Sequence, residues 1–413
     1  MSSRRTLPVL AIVAASGLVL AGCSSSTSGS SSSSSMSPSS GSSGASSSSA
    51  SVPQVDAGAF TADFSVMSQL KDLASQGKGM IGVLLPDTTT STRYVQYDAP
   101  YLKKAFETAG LSADQFKIDN ANGSASTMQT QAEADINAGA SVLLVDPLDP
   151  GSGAAIESKA KAAGVAVIDY DRLVTGGPKD RYYVSFDNVK VGTLIGQGFV
   201  QCVKDWNVQK PQVLIMDGDP TDNNAKLFAQ GYNGVLKQYF DNGTYTKVGE
   251  PAGTWDPQTA ATTFQQQLTA HPNINAAITP NDDNANAVIS ILKGNGVKPK
   301  SFPTTGQDAS LPGLQNVLTG YQCGTVYKPI YLEAQAAAAL AIYLRAGVTP
   351  PSSLVNATTK DTTLNADISS VYTTPIWVTP KNMADTVVKD GAVKVADLCS
   401  GNVASACSAA GIS

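Results

Sequence analysis

The sequence predicts an α/β protein of two lobes, each a parallel sheet flanked by helices. Three observations predict it. From Met80 onward, apolar strand-like runs alternate with stretches whose apolar residues recur at helical spacing and end in Gly, the pattern of parallel sheets covered by helices. The chain is 413 residues long and 42% hydrophobic, enough for two such lobes. The ends of the strand-like runs are unusually polar, and in open α/β sheets ligands bind beyond the carboxyl ends of the strands.

The first segment stands outside the fold. Arg4 and Arg5 precede an apolar run from Leu7 to Leu20 that is too short for a comfortable membrane span, and small residues follow in Leu20–Cys23, "LAGC". Residues 1–22 therefore read as a signal peptide. "LAGC" resembles a bacterial lipobox, which implies cleavage before Cys23 and acylation of that residue, placing the protein outside the cytoplasm on a membrane anchor. Removing 1–22 takes away two positive charges and no acid, so the formal charge moves from −5 to (28 − 2) − 33 = −7. Residues 23–54 are almost all Ser after the Cys, with too little apolar surface to offset ordering entropy, and read as a flexible tether.

The clearest strands are "MIGVLLP" at 80–86, "ASVLLVDP" at 140–147, "GVAVIDYD" at 164–171, "QVLIMDGD" at 212–219, "INAAITPND" at 274–282 and "GTVYKP" at 324–329. Between them "APYLKKAFETAG" (99–110) and "SGAAIESKAKAAG" (152–164) read as helices. Asp87 follows the first strand and Asp146 the third. Asp171 and Arg172 follow the fourth, Asp217, Asp219 and Asp222 the fifth, and Asn281, Asp282 and Asp283 a later one. Any one of these acids reads most simply as a turn or N-cap residue. An Arg held against an Asp at a strand end, with many polar ends in one chain, points instead to a shared cleft. For Asp171 and Arg172 the plain alternative is an ion pair that fixes the strand end.

Cysteine usage fits export. Cys202, Cys323, Cys399 and Cys407 are an even set able to close two disulfides; Cys399 and Cys407 are the first pair by proximity, leaving Cys202 with Cys323 if both lie in one lobe. With no Cys-x-x-Cys and His271 as the single His, neither zinc nor another cofactor is expected. The low charge density and the absence of a basic stripe exclude nucleic acid as a partner.

Longer strings carry a resemblance. "YDRLV" (170–174), "YYVSFDNVKVG" (182–192), "GDPTDNNAKLFAQG" (218–231), "TPNDDNANAVI" (279–289), "TTGQDAS" (304–310) and "GTVYKP" (324–329), in this order and spacing, resemble the xylose-binding proteins of ABC transporters, within the ribose- and galactose-type periplasmic binding proteins. The resemblance covers about Met80 to Gly391. It implies a two-lobed periplasmic-binding-protein fold with three hinge crossings, near Phe186–Asn188, near Lys328–Pro329 and before "TPIWVTP" at 374–380. The lobes would be 78–187 plus 329–372 and 188–328 plus 373–413. That puts Cys202 and Cys323 in one lobe and favours their pairing.

A sugar offers hydroxyls that donate and accept, plus apolar C–H patches, so a matching site needs carboxylates, cationic or amide donors and an aromatic face. The resemblance assigns sugar contacts to Arg93, Asp171, Arg172, Asp222, Asn224, Asn281, Asp308 and Lys328; Trp255, one of three Trp, follows a strand-like run in a loop with Gly253, Asp256 and Pro257 and reads as the stacking platform. Asn223 reads as a helix cap, Asp222 could serve as one, and Asp308 with Lys328 could form a hinge salt bridge. Tyr94 stands where xylose binders of this type often have Trp, and Tyr170 reads as packing beneath the site. Function is then capture of a xylose-like pentose or a hexose by a monomer that delivers it to an ABC permease; a sensor partner is the alternative. A secreted glycosidase is the enzymatic alternative, but Arg172 and Lys328 would keep neighbouring acids ionised, which suits hydrogen bonding better than acid catalysis. The reading is therefore not an enzyme. It expects Asp171→Ala to abolish binding with the thermal midpoint nearly unchanged.

Overall fold

In the computed structural model, residues 52–413 are described. The signal peptide, Cys23 and nearly all of the Ser-rich tether lie outside them.

The first lobe is built on seven strands. Strands β1 (Met80–Leu85), β2 (Phe116–Asn120), β3 (Ala140–Val145), β4 (Ala166–Tyr170) and β5 (Tyr182–Phe186) are joined late in the chain by β10 (Ala357–Asp361) and β11 (Ala366–Thr373). Their order is β10-β11-β5-β4-β3-β1-β2, and every pairing is parallel except the β10–β11 hairpin. Runs such as Ile81–Leu85 and Val142–Val145 are buried on both faces, which is why they read as continuous apolar stretches and not as alternation. Helices α1 (Lys71–Gln76) and α2 (Ala99–Thr108) lie with α10 (Ile330–Arg345) over one core; α3 (Ala125–Asn137) and α4 (Pro150–Ala162) lie over the other. Helix α10 is Ala-rich and buried on nearly every side, so its small side chains let β3, β4 and β5 approach closely.

The second lobe holds β6 (Gln212–Ile215), β7 (Thr246–Gly249) and β8 (Ala276–Ile278) in the parallel order β7-β6-β8. Beside them β9 (Thr325–Tyr327) pairs antiparallel with β12 (Ile376–Val378), and a parallel bridge joins Val326 to Gln307. Helices α5 (Asn188–Asp205), α6 (Asn223–Asp241), α7 (Pro257–Ala270), α8 (Asp282–Gly294) and α9 (Leu311–Thr319) flank these strands. Helices α5 and α6 touch through glycines: a Cβ at Gly192 would overlap the Phe228 carbonyl, and one at Gly231 would overlap the Val189 carbonyl. A third core closes the chain, where Met383, Val387, Leu398, Val403, Cys407 and Ile412 pack on Leu314 and Val317 of α9.

The chain passes from the first sheet to the second after Phe186, returns between Tyr327 and Ile330, and passes again between Thr373 and Ile376. Disulfides join Cys202 to Cys323 and Cys399 to Cys407, each with a Cα–Cα separation of 5.7 Å. The first ties the end of α5 to the approach to β9.

Two sequence expectations need correction. Tyr182–Phe186 is itself the fifth strand, so Asp217, Asp219 and Asp222 follow the sixth and not the fifth. The aromatic "YYVSF" sits in the middle of the sheet between β4 and β11. Residues 55–77, for which the sequence reading assigned no structure, belong to the first core: Val55, Phe60, Phe64, Met67, Leu70 and Leu73 are buried in it.

Candidate functional site

The strands that lead to the site end before its polar residues begin, which leaves those residues on the loops and helix starts that follow. β1 stops at Leu85, β4 at Tyr170, β6 at Ile215 and β8 at Ile278. The ten residues singled out in the sequence, Arg93, Tyr94, Asp171, Arg172, Asp222, Asn224, Trp255, Asn281, Asp308 and Lys328, all line one cavity. Ser91, Phe228 and Gln307 complete its wall. Those three were not singled out, although signals existed. Phe228 follows Asn224 by one helical turn on α6, and Gln307 immediately precedes Asp308 in "GQDAS".

Asp171 is the most constrained of these residues. Its backbone is left-handed, with φ 59°. Its N–H donates to the Val184 carbonyl at 2.9 Å, and its own carbonyl accepts from Asn224 Nδ2 at 2.8 Å and Ser185 Oγ at 2.9 Å. The carboxylate accepts from Arg93 Nη1 and from Tyr94 O–H, each at 2.8 Å. Burial alone would raise this carboxyl, but Arg93, Lys328 and Arg172 overcome it and hold the group at about 2. Across the cavity Asp308 also has a left-handed backbone, with φ 89°. Two acceptors, one from each lobe, are thus held in conformations that L-residues seldom adopt; such strain persists where surrounding structure over-determines it.

Arg93 is largely spent inside the protein. It donates to Asp98 at 2.9 Å and 2.6 Å, to Asp171 at 2.8 Å and to Glu333 at 2.8 Å. A guanidinium has five N–H donors, so one, on Nη1, is left for anything in the cavity. Glu333 lies on the first turn of α10 and is fully buried; burial, opposed by Arg93, pushes its carboxyl up to about 8. Tyr170 is packing, as expected, and donates its O–H to Asp98 at 2.6 Å.

The ion pair considered for Asp171 with Arg172 does not form. Asp171 pairs with Arg93, while Arg172 faces Asp222 at 3.3 Å and Asp146 at 3.6 Å. Adjacent residues at a strand end project in different directions, and each finds its partner on another loop. Tyr94 anchors through its hydroxyl, with the Arg93 and Arg172 guanidiniums 5.2 Å and 5.6 Å from its ring centre. Asp222, not Asn223, caps α6: its Oδ1 accepts from Asn224 N at 2.8 Å, while Oδ2 accepts from Trp255 Nε1 at 3.1 Å. Asn223 is already inside the helix. Trp255 lies edge-on to Phe228, its ring over Gly218, where a Cβ would collide with the indole. Asn281 caps α8 through Asn284 N at 3.0 Å, and Lys328 meets Asp308 at 3.2 Å.

The cavity wall therefore carries three cations, Arg93, Arg172 and Lys328, and three carboxylates, Asp171, Asp222 and Asp308, with an indole to one side. No single charge dominates, and both donors and acceptors remain. That chemistry holds a neutral polyhydroxylated molecule.

Fold and site together define a two-lobed solute-binding protein with a cavity lined from both lobes. Comparison with known proteins gives the family: the model described as periplasmic binding protein domain matches residues 81–348, and the chain belongs to that family. It is 38% identical over 303 residues to the D-xylose-binding periplasmic protein of Escherichia coli K12, covering 72% of this chain and 86% of that protein. It is 30% identical over 336 residues to the multiple sugar-binding periplasmic receptor ChvE of Rhizobium radiobacter, covering 78% and 92%. Among solved structures, an ABC transporter solute-binding protein from Clostridium phytofermentans with bound β-D-glucose superimposes with a TM-score of 0.69 at 26% identity, covering 77% of this chain and 99% of that one. The family is one of non-enzymatic binders.

Proposed function

We propose that this protein is an extracytoplasmic lipoprotein that captures one neutral, xylose-like monosaccharide by hinge closure and delivers it to an ABC importer. The observation that carries the reading is the convergence of Arg93, Asp171, Arg172, Asp222, Asn224, Asn281, Asp308 and Lys328, with the Trp255 indole, on one cavity. Asp171 and Asp308 accept from sugar hydroxyls, the cations and amides donate, and Trp255 covers the apolar C–H face. Tyr94 replaces a second indole with a ring that also fixes Asp171. Binding and closure are coupled because neither lobe holds the full set.

The lobes we assign are 78–187 plus 329–372 and 188–328 plus 373–413, with 55–77 added to the first by its buried apolar residues. The protein acts as a monomer, tethered by acylated Cys23 and the Ser-rich segment. Among the described residues no helix is long and apolar enough to cross a membrane. Cys23→Ser is expected to release the protein from the membrane fraction; retention there would overturn the anchor. The word receptor in the name of the Rhizobium radiobacter relative favours a second reading, in which the closed form signals to a sensor. Titration calorimetry against a panel of neutral pentoses and hexoses tests the first reading, which predicts saturable heat with at least one. No heat with any of them would sink it.

A further inference from the structure

Beyond the cavity just described, the cleft opens into a second chamber of about 190 Å³. Arg172, Asp222 and Trp255 line both spaces, so they form the partition between them. The outer walls come from both lobes: Thr90 and Leu148 on one side, Thr221 and Thr254 on the other.

The partition is weakly fastened where Arg93 is tightly held. Arg172 is only 8% exposed, yet its Nε makes no hydrogen bond. Its polar contacts are Asp222 at 3.3 Å, Asp146 at 3.6 Å and the Pro147 carbonyl at 3.4 Å, all long. The Arg93 guanidinium, by contrast, makes four hydrogen bonds between 2.6 and 2.9 Å. Asp222 and Asp146 hold Arg172 by charge, and its buried Nε–H is left without an acceptor, free for an incoming oxygen.

We infer that the outer chamber is a subsite for a second, uncharged sugar unit, so that the protein also takes a neutral disaccharide whose linkage oxygen lies beside Arg172 and accepts from its Nε–H. This rests on the proposed function. The chemistry favours a sugar over an apolar substituent because threonine hydroxyls and carboxylates line the chamber, and Trp255 borders both spaces. Four carboxylates, Asp87, Asp219, Asp222 and Asp256, and a single guanidinium line the chamber, so a uronate or phosphorylated unit is repelled.

The test is titration calorimetry of the full chain with D-xylose and xylobiose, and with D-glucose and cellobiose. It is repeated on Thr90→Trp and Thr221→Trp, which fill the chamber from opposite lobes. At least one disaccharide is expected to bind within about tenfold of its monosaccharide. Each variant is expected to weaken that disaccharide by about tenfold or more while moving the monosaccharide by less than about threefold, which also shows that the variant is folded. Monosaccharide binding without any disaccharide binding would overturn the subsite and leave the proposed function standing. Equal losses of both ligands in the two variants would overturn it as well. Absence of binding by all four sugars would overturn the subsite, and the proposed function falls with it only when no neutral monosaccharide of the wider panel binds.

Discussion

Replacing Asp171 by Asn and by Ala separates its charge from its scaffolding role. The carboxylate already accepts one bond from Arg93 and one from Tyr94, each at 2.8 Å, which leaves capacity on both oxygens for sugar hydroxyls. Hydrogen bonds to a charged group contribute about 1.5–3 kcal/mol each. Asn keeps the shape and one acceptor but loses the charge, so affinity should fall by about thirty- to hundredfold, or about 2–3 kcal/mol. Ala removes the acceptors altogether. It also strips Arg93 Nη1 and the Tyr94 hydroxyl of a buried partner and places an alanine at φ 59°. Breaking a buried pair costs about 3–5 kcal/mol, and because Arg93 keeps Asp98 and Glu333 the lower end applies. Asp171→Ala should therefore lose binding and also lower the thermal midpoint by several degrees. This revises the expectation from sequence that stability would be nearly untouched. Titration calorimetry with the best sugar of the panel and a thermal scan read the two effects. An Asp171→Asn protein that binds as tightly as the parent would refute the reasoning, and so would an Asp171→Ala protein with an unchanged midpoint.

Other perturbations follow from the same geometry. Tyr94→Phe leaves Asp171 with one donor fewer and should weaken sugar binding by about tenfold, measured by the same titration; an unchanged affinity would show that the hydroxyl contributes nothing. Glu333, held at about 8, carries its proton in the folded state while the unfolded chain has released it, so the native state binds more protons between about pH 4.5 and 8. Stability from this group is full below that window and falls as pH rises through it, by at most about 1.4 kcal/mol per pH unit. Denaturant melts of Glu333→Gln should lose that downward slope. Opening the Cys202–Cys323 bridge, which spans 121 residues, should cost about 5 kcal/mol, against about 2.5 kcal/mol for Cys399–Cys407, which spans 8. Paired Cys→Ala variants in denaturant melts check the order, and equal losses would contradict it.

The parts of the fold legible in the sequence were those governed by local pattern. The runs at 80–86 and 140–147 are strands because they have no polar face to offer solvent, and that at 164–171 is one although it carries Asp169, which is buried against Arg181. The site was legible because its groups sit on those strand ends, and a resemblance across many such ends named them. What could not be read was pairing. Nothing local shows that Asp171 turns to Arg93 and Tyr94 while Arg172 turns to Asp222 and Asp146. Nor does sequence spacing reveal that Glu333, from a helix late in the chain, closes the Arg93 cluster. Asp222 shows why cap and site are poor alternatives: one oxygen caps α6 and the other meets Trp255 at the cavity wall. The buried segment 55–77 is not assigned from sequence although Phe64, Met67, Leu70 and Leu73 recur every third residue, because the first clear strand and the resemblance both begin near Met80.

The central claim is that one cavity, lined from both lobes, closes on a neutral monosaccharide. Titration calorimetry of the full chain against D-xylose, D-glucose and other neutral monosaccharides tests it most directly. The account predicts saturable one-to-one binding of at least one pentose or hexose near the micromolar range, about −8 kcal/mol, lost in Asp171→Ala. No heat with any neutral sugar, or one-to-one binding that survives Asp171→Ala unchanged, would contradict it.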